Sequence, residues 1–351
     1  MVRAVLLGYG LAGQSFHGPL LAATDGLDVI GILTSNPERQ ARARHDFPDA
    51  VVHSDLDSAL DSGADLAIVV GANVTHVPQA RAALDAGMHV VVDKPMAPSV
   101  EEVSALAAQA AAANRHVIAY QNRRWDSDFL TMLALRDSGR IGDIHRFESR
   151  FGQWKPSLSG KWRESLAPED LGGNLYDLGS HIIDQALVLL GPITTVTAFA
   201  RSVRSPDIAD DDAVVIAHHA SGAVSYLVGT NAAAHSAPRM LALGTRGSAR
   251  IDQMDAQEAF LRAGGRADDP RYGVDEQPLY LVTESGEVTE PLERGRWGDF
   301  YAGVRDAVLG RGPSPVPIDE TIMTTAVLDA ARESSATGRS VQVTSTPTSS
   351  S

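Results

Sequence analysis

Three groups of residues stand at spacings that could carry chemistry. The first is Gly8-Tyr9-Gly10-Leu11-Ala12-Gly13, directly after an apolar run over residues 2–7. Between a strand and a helix, this spacing allows a tight turn at the first glycine. It admits a pyrophosphate to the backbone at the second and lets helix and strand pack closely at the third. The N–H groups of the helix N-terminus then face the anion. The second group is Asp93-Lys94-Pro95, immediately beyond an apolar run over 89–92. Ligands of open α/β sheets sit beyond the carboxyl ends of the strands, so Lys94 would emerge beside the reacting end of a dinucleotide. An ammonium there can stabilise a developing alkoxide. Pro95 fixes the turn and makes a cis Lys94–Pro95 bond a candidate. The third group lies in Gly172-Gly173-Asn174-Leu175-Tyr176-Asp177-Leu178-Gly179-Ser180-His181. Asp177 and His181 are four apart and would share one helix face, where a carboxylate can orient an imidazole as general acid and base. Asp184, three residues on, is a second candidate partner. The competing account is a structural helix pair. Zinc is not expected, because a third ligand at metal-like spacing is missing.

The residues after the second apolar run bear on which dinucleotide would fit. An Asp or Glu there would hold the ribose 2′-hydroxyl of NAD. The chain instead has Thr34, Ser35 and Asn36, with Arg39 one turn further. Ser35 can donate to a 2′-phosphate and Arg39 can pair with it. The expected cofactor is NADP, with NAD as the second choice. Taken alone, Arg39 reads equally well as a solvated helix arginine.

The elements that must hold these groups follow from the apolar pattern. Residues 2–7, 29–33, 67–70 and 89–92 are short, nearly continuous apolar runs, as strands buried on both faces require. Helical stretches at 13–23, 37–46, 75–86 and 100–114 alternate with them, and 117–120 reads as the last strand. This alternation predicts a doubly wound parallel sheet, an α/β Rossmann domain over 1–121. Beyond it come a helix at 126–138, a strand at 143–154, a Gly- and Pro-containing loop and a helix over 173–190. Short β-rich runs at 193–201, 213–218, 223–229, 240–244, 259–262 and 279–283 predict an antiparallel or mixed sheet. Residues 264–276 read as an exposed loop, and 297–309 and 318–337 as closing helices. The second domain is therefore α+β over 122–343 with a large, open, mostly antiparallel sheet. The Ser/Thr/Pro-rich residues 344–351 read as a flexible tail.

Composition bounds the alternatives. A chain of 351 residues is long for one core and comfortable for two. It has no cysteine, which removes disulfides, thiolate metal sites and a cysteine nucleophile. The net charge is −14, with arginines scattered among more numerous acids, so nucleic acid is not an expected partner. No signal peptide and no apolar stretch of bilayer length is visible, so a cytoplasmic protein without a membrane partner is expected.

The three motifs together resemble, in order and spacing, those of the glucose–fructose oxidoreductase/inositol dehydrogenase (Gfo/Idh/MocA) family. The likeness rests on Gly8-x-Gly10-x-Ala12-Gly13, Asp93-Lys94-Pro95 and Gly173-x-Leu175-x-Asp177-x-Gly179-x-His181, and spans nearly the whole chain apart from the tail. Asp93 is a mild departure, since Glu is the commoner residue there. Ser15-Phe16-His17-Gly18-Pro19-Leu20 and Asn122-Arg123-Arg124-Trp125-Asp126 are similar to the NADP-dependent scyllo-inositol dehydrogenase branch. The resemblance implies catalysis by Lys94, Asp177 and His181 on a secondary alcohol or ketone of a polyol or sugar. To the cofactor contacts expected from the loop Gly8, Tyr9, Gly10, Leu11, Ala12 and Gly13 and from Thr34, Ser35 and Arg39, the resemblance adds Gly71, Ala72, Asn73 and His76. Lys94, Pro95 and the pair Trp162-Arg163 complete that set. Arg123, Trp125, Asp126, Trp154 and Arg163 are the candidates for holding substrate. His17, His76 and Trp297 are equally pocket or core residues. The second domain would bind substrate and form a homodimer or homotetramer through its sheet. Two further readings stand beside this one. The first is a reductase of a keto-sugar such as an anhydrofructose, or of a dihydrodiol-type substrate. The other is a non-catalytic dinucleotide-sensing regulator, which would be expected to lack members of the catalytic set.

Overall fold

The computed structural model describes residues 1–160, 164–165 and 171–344. The chain forms two compact units. The first comprises 1–122 together with 257–272 and 296–321, and the second 123–256, 273–295 and the chain from 322 onward. The division is therefore not the single cut at 121 that the sequence suggests, because two later segments pack with the first unit. The tail proposed for 344–351 lies outside the described residues from 345 onward.

The first unit is built on six parallel strands, β1 (Val2–Leu7), β2 (Leu27–Leu33), β3 (Val51–His53), β4 (Leu66–Val69), β5 (His89–Val92) and β6 (Val117–Ala119). Their order is β3-β2-β1-β4-β5-β6, so the sheet reverses its winding between β1 and β4. All four residues of β4 are buried, as the unbroken apolar run requires. Strand β3 escaped the sequence reading because it is three residues long and Val51 is exposed. The helix expected over 13–23 is a π-helical turn, Gly13–His17, that runs into α1 (Gly18–Ala22). Gly18 N–H reaches back five residues to Gly13 O, and a Cβ on Gly18 would stand 2.8 Å from that oxygen. Helices α2 (Pro37–Asp46), α3 (Leu56–Leu60), α4 (Asn73–Asp85) and α5 (Val100–Ala112) follow. Asn36, Asp55 and Ser99 cap three of them, accepting from Arg39, Ser58 and Glu102 N–H respectively. The returning segments add the helices Gln257–Arg262 and Gly298–Val308. The first corrects the strand expected at 259–262. Its buried residues, Gln257 and Leu261, are four apart, which is helical rather than alternating period.

The second unit carries α6 (Ser127–Ser138), β7 (Ile144–Gly152), α7 (Asn174–Asp177) and α8 (Gly179–Leu190). Strands β8 (Ile193–Arg201), β9 (Asp212–His219), β10 (Val224–Thr230), β11 (Met240–Gly244), β12 (Gly247–Ile251), β13 (Pro278–Thr283), β14 (Gly286–Pro291) and β15 (Val341–Gln342) complete it. They form a nine-stranded mixed sheet in the order β14-β13-β12-β11-β7-β10-β9-β8-β15, antiparallel except where β7 meets β10. Alternate residues such as Phe147, Phe151, Val215 and Leu227 point into one core with Phe129, Ile182, Ile183, Val327 and Leu328. Strand β14 is exposed at five of its six residues and polar along most of its length, which hides it from an apolar-run reading. Among the described residues no helix is long and apolar enough to cross a membrane.

Candidate active site

The glycine loop sits at the switch point of the first sheet. Gly8 has φ +128°, and a Cβ there would stand 2.9 Å from Val70 O. A Cβ on Gly13 would stand 2.8 Å from Gly8 O. Both glycines are thus required by close backbone approach. Gly10 is different: among the described residues a Cβ there would meet a single atom of another segment within 4 Å, the Arg39 Nη1 at 3.8 Å. The face over Gly10 is open, with a guanidinium at its edge. Arg39 is exposed and has no ion-pair partner among the described residues. Ser35 beside it is exposed, while Thr34 is buried with its carbonyl accepting from Gln40 at 2.9 Å. The Tyr9 ring lies over Gly13, where a Cβ would stand 3.5 Å from its Cδ2. It packs edge-on against Phe47, donates to Asp46 at 2.7 Å, and burial followed by that bond raises its phenol far above the ordinary value. Leu11 is exposed, and Ala12 sits at the start of the helix. Across the switch point, Gly71 and Ala72 lead into α4, which begins at Asn73.

The turn after β5 holds Lys94. The Lys94–Pro95 bond is cis. Asp93 Oδ1 accepts from Lys94 N–H at 2.8 Å, and Asp93 Oδ2 lies 3.8 Å from His17 Nε2. Burial pushes the Asp93 carboxyl up, but His17, Lys94 and His76 prevail and hold it at about 2. His76 is buried, and its Nδ1 lies 2.9 Å from Pro95 O. Burial pushes His76 below its ordinary value, so it is neutral at pH 7, and the ring N–H donates to the carbonyl. His17 and Trp297 are buried as well, in the first unit.

In the second unit, Asp177 and His181 do not share one continuous helix as expected. Asp177 ends α7 and His181 lies in the first turn of α8, with Leu178 between at φ −105°, ψ −39°. The two α7–α8 helices are joined by His181 N–H donating to Leu178 O at 3.2 Å. His181 is buried and Asp177 half-buried. The entry to α7 depends on Gly173 at φ +96°, where any Cβ would collide with the Asp210 carboxylate. Asp210 Oδ2 accepts from Leu175 N–H at 2.8 Å and its carbonyl from Asn174 N–H at 2.8 Å. Burial pushes the Asp210 carboxyl up to about 6. This cap is 35 residues away in sequence, and no local pattern announces it.

Asp184 is not a second partner for His181. Its carboxylate takes two bonds from Arg124, at 2.8 and 2.6 Å, with Thr324 at 3.4 Å. Asp126 is fully buried, 3.3 Å from Arg123 Nη1, a place from which it orients that arginine. The Arg123 guanidinium lies 5.0 Å from the Phe151 ring centre, and Arg239 lies 4.1 Å from it. Arg239 is buried on Ser149 (2.6 Å), Gln185 (3.0 Å) and Asp128 (3.1 Å). The His181 ring centre is 6.5 Å from that of Phe151. The sequence reading missed this network, whose members lie on four separated segments. Trp125 is half-buried, and Trp154 is exposed, bridging to Ala232. Trp162 and Arg163 lie outside the described residues.

The chain matches two family models. Residues 2–121 match an oxidoreductase family with an NAD-binding Rossmann fold, and 129–250 match the GFO/IDH/MocA C-terminal domain. It is 35% identical over 338 residues to the oxidoreductase YdgJ of Escherichia coli strain K12, covering 95% of this chain and 96% of that one. It is 33% identical over 350 residues to the NADP(+) scyllo-inositol 2-dehydrogenase IolW of Bacillus subtilis strain 168, covering 97% and 96%. The YPO2259 oxidoreductase structure from Yersinia pestis superposes with a TM-score of 0.91 at 33% identity, over 98% of this chain and 97% of that one.

Proposed function

The chain belongs to the GFO/IDH/MocA family of NAD(P)-binding oxidoreductases, and we propose that it is an NADP-preferring dehydrogenase interconverting a secondary alcohol and a ketone on a polyol. The best candidate substrate is scyllo-inositol, by likeness to IolW at 33% identity. The observation that carries the NADP part is the open Gly10 face with Arg39 at its edge. A dinucleotide fits there: the missing Cβ leaves room for the pyrophosphate, and the guanidinium, with no ion pair among the described residues, suits a 2′-phosphate. Bound, the nicotinamide accepts the hydride in oxidation and supplies it in reduction. In oxidation the His181 imidazole takes the hydroxyl proton and Asp177 orients the ring. The Lys94 ammonium stabilises the alkoxide by charge and hydrogen bond. Arg123, with Trp125 and Trp154, is a candidate to hold the ring hydroxyls.

The test is a screen of inositols, aldoses, keto-sugars and dihydrodiols with both dinucleotides, read by nicotinamide absorbance. Turnover of scyllo-inositol with NADP+ ahead of NAD+ is expected. Turnover confined to a keto-sugar or dihydrodiol would replace the substrate, and tight dinucleotide binding without any turnover would leave a sensing regulator.

We propose a second copy of the chain as the partner of the open sheet face. Phe199, Val214, Ile216, Tyr226, Leu241 and Leu243 alternate with the core residues and so face outward. Beside them on β7, Glu148 pairs within the chain with Arg146 at 3.1 Å and with Arg150 at 2.6 Å, and a two-fold axis would set the apolar strip against its own copy. Light scattering of the wild type and of Phe199→Glu checks this, and a wild-type monomer would refute it.

A further inference from the structure

One buried cluster of the first unit has no part in the chemistry above. His17, at the end of the π-helical turn, is fully buried. Its Nδ1 lies 2.5 Å from Tyr301 Oη, and its ring centre lies 4.0 Å from that of Tyr120, with the planes tilted by 38°. Tyr301 and Phe300 come from the returning helix Gly298–Val308 and are themselves buried against each other and Tyr120. His17 Nε2 makes no hydrogen bond of its own and points toward Asp93 Oδ2 at 3.8 Å. Burial keeps the Tyr301 phenol protonated. In neutral His17 the phenol can donate to Nδ1, which leaves the ring proton on Nε2. In protonated His17 both nitrogens carry one. The remaining neutral form would aim a lone pair at a carboxylate and is disfavoured. An N–H therefore faces Asp93 in either charge state. The other Asp93 oxygen accepts from the Lys94 backbone at 2.8 Å, and His76 Nδ1–H holds the Pro95 carbonyl at 2.9 Å.

We propose that His17 is a positioning residue for Lys94. Through Asp93 it fixes one end of the turn that presents the ammonium, while His76 fixes the other at Pro95. Tyr301 sets the His17 tautomer and Tyr120 prevents the ring from swinging. This inference rests on the reading of Lys94 as catalytic.

The side-chain lengths of two amides provide the test. In His17→Gln the amide nitrogen stands where Nε2 stood and still turns an N–H toward Asp93. In His17→Asn it reaches only the Nδ1 position. Full-length wild type, both amide variants, His17→Leu and Lys94→Ala are compared in three assays. These are scyllo-inositol turnover with NADP+, NADPH binding by fluorescence, and acetylation of Lys94 by acetic anhydride read by peptide mass spectrometry. The chain has three lysines, Lys94, Lys155 and Lys161, so Lys155 is an internal reference. His17→Gln should keep kcat within about threefold, and His17→Asn and His17→Leu should lose about tenfold or more, with KM and NADPH affinity within about twofold. Lys94 acetylation should change by about threefold or more in His17→Leu and not in His17→Gln, with Lys155 constant. If His17→Leu does not fold, the amide pair decides. Equal kcat for Gln and Asn, or unchanged acetylation of Lys94 in both His17→Leu and His17→Asn, overturns the proposal. Turnover by Lys94→Ala would instead refute the catalytic reading, and the acetylation readout would still test the positioning.

Discussion

Both units open a helix on a glycine, and they finish the opening in different ways. The N-terminus of a helix has unsatisfied N–H groups and favours an anion. At α7 the protein supplies that anion itself: Asp210 fills the space that the missing Cβ of Gly173 leaves and accepts from Leu175 N–H. At the first glycine loop no side chain of the described residues fills the space over Gly10, and the nearest atom belongs to a cation, Arg39. In sequence the two look alike, as glycines before a helix. They differ in whether the anion is built in or left to a ligand. Under the proposed function, the closed entry holds the helix of His181 in place, and the open one is where a phosphate would sit.

The contrast can be broken from either side. Gly173→Ala should be the costlier change for the fold, by about 3 kcal/mol, because it combines left-handed backbone strain with a displaced cap. Denaturant unfolding measures it, and a loss below about 1 kcal/mol would show the Asp210 cap to be dispensable. Gly10→Val should do the reverse. Dinucleotide affinity should fall roughly 100-fold, equivalent to about 2.7 kcal/mol, while unfolding changes little. Comparable loss of stability in both variants would remove the distinction. Asp210→Asn sharpens it through pH. The carboxyl of the folded chain titrates near about 6, above its ordinary 3.8, so its contribution to stability is full at low pH and is lost as pH rises through about 6. The variant lacks that loss, so its stability relative to wild type should grow by about 2 kcal/mol between pH 4 and pH 8. A difference independent of pH would show that Asp210 does not titrate in this window. Arg39→Ala is the smallest expected effect: NADPH affinity should fall about tenfold and NADH affinity by less than about twofold. Equal losses for both would mean the guanidinium does not read the 2′-phosphate.

What the sequence reveals and what it hides follows from the range of each interaction. Strands β1, β2, β4 and β5 are buried on both faces and show as apolar runs, while β3 and β14 are exposed edges and do not. The glycine spacing and Asp93-Lys94-Pro95 are local and legible. The helix break at Leu178 hides inside a continuous helical pattern, so Asp177 and His181 read as one helix. Asp184 looked like a second carboxylate for His181, but Arg124, 60 residues earlier, holds it. Asp210 and Tyr301 carry no motif at all. Each acts on a site residue only because the chain folds back over a long distance, 35 residues to Leu175 in one case and 284 to His17 in the other.

That return of residues 296–321 to the first unit has a consequence for how the protein is made. A ribosome that has synthesised the six strands of the first sheet has not yet synthesised Trp297, Phe300 or Tyr301. Phe16, which meets Trp297, and His17 and Tyr120 must wait as uncovered aromatic surface until residues 297–301 have been made. A gene cut at the first domain boundary would therefore encode the cofactor loop but leave its neighbouring histidine without a tyrosine. Such a fragment is expected to aggregate, and adding residues 296–321 through a short linker should restore its solubility.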